Sequence, residues 1–284
     1  MNDQMDDYVF LFSPGTCAYH PQLARYCQNV KVDDMHIENK NCKPIITEKY
    51  KCVKFGEIIT MDSNNNSFTR RLVGKIFCNI RDNCTNTKSN GFVYSIDPSK
   101  FNLGQELDQE RINEVYQQII SENKDAKIIC FGVSRGSAAL INFLAKYKPA
   151  NIKGVILEGT PSSLMEIVNN SHGFSYACYT MIRKIVIPYF TNYKFDGQHP
   201  IDSVCDLPNN IPILLITSKN DKIVPYNCSQ NIYNKMIDNG YNNIELLILE
   251  RPGHDYYLTD NEIDTQKYLD KIKEFYAKIK NFSI

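Results

Sequence analysis

The sequence lacks most of what would commit 284 residues to a common specialised role. It has no excess of charge. Lys and Arg number 32, as do Asp and Glu, so the basic surplus of a dedicated nucleic-acid binder is missing. No block of like charges marks a membrane or partner patch. The ten cysteines contain no Cys-x-x-Cys pair, which argues against a zinc ribbon or a thioredoxin-type motif. No apolar run approaches the roughly 20 residues of a membrane-spanning helix. The start, MNDQMDDYVF, is acidic and has neither the basic opening nor the apolar core of a signal peptide. The expected setting is therefore the cytoplasm, with the cysteines as free thiols in a reducing compartment. No Walker or dinucleotide glycine pattern occurs, so no nucleotide cofactor is expected. His20 near Cys17 makes too small a ligand set for a metal site, and none is expected. No repeat or low-complexity linker divides the chain, which reads as a single domain over 1–284.

What is present centres on Lys127 to Tyr147, KIICFGVSRGSAALINFLAKY. Ile128, Ile129, Cys130 and Phe131 form an unbroken apolar run, as in a strand buried on both faces. From Ser137 to Tyr147, apolar residues recur at helical spacing: Ala138, Leu140, Ile141, Leu144 and Ala145. Between strand and helix stands Gly132-Val133-Ser134-Arg135-Gly136, the Gly-x-Ser-x-Gly pattern of a nucleophile elbow in its required strand-turn-helix context. The glycines leave room for a turn so tight that residues two before and two after its apex nearly touch. The strained apex then holds the Ser134 hydroxyl clear of the sheet, near the positive end of the helix. The competing reading is an ordinary turn with Ser134 as helix cap.

Elsewhere strand and helix alternate. Strands are expected at Tyr8–Phe12, Gly91–Ile96, Ile152–Leu157, Ile211–Thr217 and Ile244–Leu249. Helices are expected at Ala18–Val30, Glu106–Ile120, Cys228–Asn239 before Gly240, and Thr265–Ile279, with a further helical face over Phe68–Asn79. Residues 31–66 form an irregular insertion, with a hairpin plausible in Pro44–Thr60. The alternation implies right-handed crossovers and a mainly parallel sheet with helices on both faces. Ser134, Glu158, Asp221 and His254 each stand just past a strand, so all four should gather on the carboxyl rim where such sheets place their sites. His36, His172 and His199 show no partner in the sequence. Residues 162–200 break the rhythm and are rich in aromatics, among them Phe174, Tyr176, Tyr179, Tyr189, Phe190, Tyr193 and Phe195. They suit either plain core or a cover over the rim.

Three motifs together make the chain resemble the α/β-hydrolase superfamily from about Tyr8 to Ile279. They are the elbow, the loop Ser218-Lys219-Asn220-Asp221-Lys222-Ile223-Val224-Pro225 after the penultimate strand, and Pro252-Gly253-His254 after the last. Their chain order, Ser then Asp then His, is that of the superfamily. The resemblance implies an α/β-hydrolase fold with a small cap at 162–200. It also implies a serine hydrolase in which Ser134 is the nucleophile, His254 the base and Asp221 the acid that orients it. Each type suits its task. A serine hydroxyl needs a base during attack, histidine titrates near neutrality, and a carboxylate fixes the imidazole tautomer. Two bland readings stand beside these: His254 as a surface histidine, and Asp221 as a turn residue. Glu158 is the rival acid, since a few members place that acid one strand earlier. The oxyanion donors implied by the resemblance are the Arg135 N–H and an N–H of the loop Ser13-Pro14-Gly15-Thr16, with Thr16 preferred over Gly15. That loop lacks the His-Gly often found there. The expected activity is cleavage of an ester or thioester of a small or acyl-chain substrate. The alternatives are a peptidase of the same fold, which nothing in the sequence excludes, although the absence of an added propeller-like domain argues against an oligopeptidase, and a non-catalytic binding protein.

Overall fold

The short apolar runs become strands of one eight-stranded sheet. The structure, a computed structural model, describes residues 8–13, 15, 50–52, 56–61, 92–96, 104–170, 193–254, 257 and 262–282. Its strands are β1 (Tyr8–Ser13), β2 (Tyr50–Cys52), β3 (Gly56–Met61), β4 (Phe92–Ile96), β5 (Lys127–Val133), β6 (Ile152–Glu158), β7 (Ile213–Ser218) and β8 (Ile244–Leu249). Their order across the sheet is β2-β3-β4-β1-β5-β6-β7-β8. Every neighbouring pair is parallel except β2 with β3. Part of the segment 31–66 thus extends the sheet itself. Its hairpin forms the antiparallel edge, and β3 runs parallel to β4.

The helices are α1 (Glu106–Glu122), α2 (Arg135–Tyr147), α3 (Leu164–Asn170), α4 (Pro200–Ser203), α5 (Tyr226–Asp238) and α6 (Glu262–Phe282). α2 begins two residues earlier than apolar spacing alone indicates, because helical backbone starts directly after Ser134. The sequence readings at 18–30, 68–79, Thr16, His20, His36, His172, Phe174, Tyr176, Tyr179, Tyr189 and Phe190 lie outside the described residues. Among the described residues no helix is long and apolar enough to cross a membrane.

Strand periodicity sends alternate side chains to opposite faces. On one face Ile128, Cys130, Val155, Leu157, Ile213 and Leu215 are buried in one cluster with residues of α1, α2 and α5, such as Val115, Leu140 and Ile232. On the other face α6 packs closely. Gly154 carries no Cβ, and the Ile279 side chain occupies that space. Burial of each such Ile, Leu or Val contributes roughly 1.5–3 kcal/mol. Helices therefore cover both faces of the described sheet, as in an α/β-hydrolase fold.

Two close contacts position the β5–α2 turn. A Cβ on Gly132 would stand 2.8 Å from both the N and the Cα of Ser137. Arg135, the first residue of α2, sends its guanidinium to Asp108 of α1, with Nε donating to Oδ2 at 2.7 Å and Nη2 to Oδ1 at 2.5 Å. Both side chains are only 6% exposed. The Gly104 N–H donates to the same Asp108 Oδ2 at 2.7 Å. Beside it, Gln105 accepts from the Lys194 N–H and donates to the Lys194 carbonyl, both at 2.7 Å. Asn142 of α2 donates to the Gly104 carbonyl at 2.9 Å and accepts from Ser203 Oγ at 2.6 Å. The start of α1 is thus tied both to α2 and to the chain returning through 193–203.

Gly132→Ala should destabilise the protein by on the order of 1–3 kcal/mol, because backbone atoms cannot yield to the new methyl. Gly253→Ala, with nothing within 4 Å of its would-be Cβ, should change stability little. Urea denaturation of the two variants checks both. Asp108→Ala takes the carboxylate from a buried guanidinium and should destabilise by on the order of 3 kcal/mol. Asp108→Leu combined with Arg135→Met should lose less than Asp108→Ala alone. Equal losses in denaturation midpoint would deny the ion pair that role.

Candidate active site

Ser134 sits between the end of β5 and the start of α2 at φ 54°, ψ −119°. That region costs a non-glycine residue on the order of 1–3 kcal/mol, so the surroundings must hold it there. They do so through β6. The Ser134 N–H donates to the Glu158 carbonyl at 2.7 Å, and Ser137 Oγ donates to the same oxygen at 3.0 Å. The Ser134 side chain makes no capping bond to α2. Its Oγ instead lies 2.8 Å from His254 Nε2.

The loop after β7 brings in Asp221. Asp221 Oδ1 accepts from the N–H groups of Ile223 at 2.9 Å and Val224 at 2.8 Å, a carboxylate-stabilised turn. Oδ2 meets His254 Nδ1 at 2.7 Å. One oxygen thus closes the turn and the other faces the histidine. Neighbouring bonds hold the His254 loop against this one. Ser218 Oγ donates to the Pro252 carbonyl at 2.6 Å, and Asn220 Nδ2 to the Arg251 carbonyl at 2.9 Å. Buried Asp264 of α6 accepts from the N–H groups of Glu250 at 3.4 Å and Arg251 at 3.1 Å.

These contacts assign the tautomer. Ionised Asp221 can only accept, so His254 Nδ1 carries the proton and Nε2 offers its lone pair to the Ser134 hydroxyl. The His254 side chain is 11% exposed and that of Asp221 0%, so a buried carboxylate faces a histidine that is partly open to solvent.

Glu158, the rival acid, is placed elsewhere. It is buried at the end of β6, its carboxyl accepts from Tyr268 Oη of α6, and its carbonyl holds the elbow. Gly15 is buried and lies two residues past Ser13, which pairs with Gly132 across β1 and β5. The Arg135 N–H stands at the N-terminal end of α2, where backbone donors and the helix dipole favour negative charge.

Two residues of this region were not singled out from the sequence. Tyr257 is buried, and its Oη donates to Asp221 Oδ2 at 2.9 Å. Burial, and next the Asp221 charge, hold its phenol proton well above the ordinary tyrosine range. Only its place three residues after His254 could have drawn notice. Gly159 is at φ 51°, and a Cβ there would stand 3.0 Å from Tyr257 Oη and 3.3 Å from His254 Cε1. A glycine following directly on a rim carboxylate was the signal for it.

A small cleft of about 50 Å³ opens beside Ser134, bounded by Ala138, Pro161, Leu164, Ile167, Tyr193 and His199. His199 is not partnerless, as the sequence suggested. Its Nδ1 lies 3.0 Å from Tyr193 Oη and its Nε2 lies 3.1 Å from the Phe195 carbonyl. A carbonyl only accepts, so Nε2 carries the proton and Nδ1 accepts from Tyr193. Burial pushes the Tyr193 phenol up to about 12, which keeps it a donor at neutral pH. The loop itself makes these bonds, over four and six residues, and no apolar periodicity announces them.

The profile of the prolyl oligopeptidase family matches residues 119–281, more than half of the chain and all of the segment that carries Ser134, Asp221 and His254. An uncharacterized protein of Escherichia coli, YfhR, is 27% identical over 128 residues, covering 44% of this chain and 38% of that protein. Among solved structures, a puromycin-hydrolyzing peptidase of Mycobacterium tuberculosis superposes with a TM-score of 0.56 at 12% identity, covering 98% of this chain and 35% of that one. An esterase of Pyrococcus furiosus gives 0.52 at 13% identity, covering 96% of this chain and 83% of that one. At such identities the likeness to solved structures is one of fold. The chain spans little more than a third of the length of the Escherichia coli protein and of the peptidase. With the parallel sheet, the elbow and the profile match together, the chain belongs to the prolyl oligopeptidase family, whose members are serine hydrolases of the α/β-hydrolase fold.

Proposed function

We propose that the chain hydrolyses a carboxylic ester or thioester through an acyl-enzyme on Ser134. The observation that carries this reading is the unbroken line of contacts from Asp221 through His254 to Ser134, at 2.7 and 2.8 Å. Those distances are within the reach that proton transfer needs.

In the first half-reaction Ser134 Oγ attacks the carbonyl carbon while His254 Nε2 takes its proton. The carbonyl π pair moves onto oxygen, and the Arg135 N–H with an N–H of Gly15 or Thr16 stabilises that oxyanion. Asp221 stabilises the imidazolium. The intermediate collapses, the bond to the leaving oxygen or sulfur breaks, and His254 returns the proton to it. In the second half-reaction water takes the place of the serine. His254 removes its proton, and a carboxylic acid leaves with Ser134 restored. No metal or cofactor enters these steps. Residues 162–200 are the proposed cap of a single domain: Leu164, Ile167, Tyr193 and His199 border the cleft next to Ser134.

A peptidase reading shares every step and differs in the leaving amine. The family match favours it, and both the peptidase and the esterase among the similar structures share the fold. A panel of acyl esters, acyl thioesters and short peptides divides the two. Faster turnover of esters and thioesters supports the first reading, and faster turnover of peptides the second.

Fluorophosphonate should label the wild-type protein and leave Ser134→Ala unlabelled. A folded Ser134→Ala protein that hydrolyses a short-chain ester at the wild-type rate would sink the mechanism. An unlabelled wild type would favour a non-catalytic binding protein. Asp221→Asn should lower kcat by on the order of 10⁴ at neutral pH, the size seen when a serine-protease triad loses its acid. Glu158→Gln, measured alongside, should retain far more activity. The reverse order would move the orienting role to Glu158.

A further inference from the structure

We propose that Tyr257 is a positioning residue of this site: its hydroxyl, held on the same Asp221 oxygen as His254 Nδ1, limits how strongly that oxygen draws a proton onto the imidazole and keeps the carboxylate aligned with it. The inference rests on the hydrolase reading for its kinetic consequence, though not for its structural one.

The four acceptor contacts of Asp221 fall into two pairs. Oδ1 takes the Ile223 and Val224 N–H groups, and Oδ2 takes His254 Nδ1 at 2.7 Å and Tyr257 Oη at 2.9 Å. The turn amides fix one oxygen to the backbone. The other would be free to share all its remaining charge with the histidine if Tyr257 did not donate to it. A donor on a carboxylate oxygen spreads its negative charge and weakens its pull on a competing proton. Burial and the adjacent Asp221 keep the phenol protonated, so it remains a donor throughout the working pH range.

The titratable groups around this cluster, among the described residues, come from five elements and loops. They are His254 on Tyr257's own loop, Asp221 after β7, Glu158 at the end of β6 with Tyr268 of α6 on its carboxyl, and Cys228 near the start of α5. Cys228 is neutral at working pH, its thiol raised to about 11, chiefly by burial. Gly159 adds a geometric observation. The Cβ it lacks would contact both Tyr257 Oη and the His254 ring, so hydroxyl and imidazole sit against one piece of backbone.

Tyr257→Phe keeps the ring and deletes the donor. Asp221 Oδ2 then bears more charge toward His254 and favours the imidazolium. The acid limb of kcat/KM, which reports the free enzyme's base, should move to higher pH by on the order of half a unit. At its plateau kcat should fall roughly three- to tenfold with KM little changed, as expected for a group that acts through the base rather than on bound substrate. The His254 imidazole titration followed by NMR should move in the same direction. In an Asp221→Asn background, adding Tyr257→Phe should cost nothing further. A fluorinated tyrosine placed at 257 alone is a stronger donor and should move the acid limb to lower pH. It also serves if Tyr257→Phe does not fold. An acid limb and an imidazole titration both unmoved, in either variant, would overturn the proposal. A wild type without hydrolytic activity would refute the hydrolase reading while the imidazole titration still judged Tyr257.

Discussion

The hydrogen bond from the Ser134 N–H to the Glu158 carbonyl, at 2.7 Å, is the constraint on which the rest of the site depends. It joins the turn after β5 to the end of β6, and it pins a non-glycine residue at φ 54°. Left alone, that backbone would relax toward ordinary helical or extended geometry. It is kept by a strand pair buried on both faces before it and by a helix whose first eleven residues are all buried after it. Gly132 allows the helix to approach, and Ser137 adds a second bond to the same carbonyl. Core burial thus supplies what the elbow's strain takes up.

Once the serine is raised on its turn, the sheet does the remaining placement. β7 and β8 are neighbours, paired from Ile213 with Ile244 to Ser218 with Leu249, so their following loops leave the rim side by side. Hydrogen bonds between the two loops and to Asp264 of α6 then fix their relative height. Asp221 is economical in this setting. One oxygen builds its own turn and the other faces the histidine, so folding the loop and aiming the carboxylate are one event.

The start of α1 plays a quieter part. Asp108 holds Arg135, the residue next to the serine, while Gln105 and Gly104 hold Lys194 and Asn142. The chain that borders the cleft at 193–203 is therefore anchored to the same few residues that anchor the elbow.

What could be seen in the sequence was what local spacing dictates. The apolar run of β5, the glycines around Ser134 and the helical spacing of α2 announce the elbow within some twenty consecutive residues. The alternation of strand and helix announces the parallel sheet, and the order Ser, Asp, His announces the fold family. Local spacing does not separate Asp221 from Glu158, because both stand just past a strand; only the packed sheet turns the Glu158 carboxyl toward Tyr268 and the Asp221 carboxyl toward His254. Nor does it separate Ser134 the helix cap from Ser134 the partner of His254, 120 residues away. Tyr257 on Asp221, Asp108 on Arg135 and Gln105 on Lys194 join residues 36, 27 and 89 apart, through hydrogen bonds with no periodicity of their own. Periodicity records which face of an element is buried. Which polar groups meet at the rim is decided when the elements pack, because a hydrogen bond demands a distance and a direction that only the assembled fold provides.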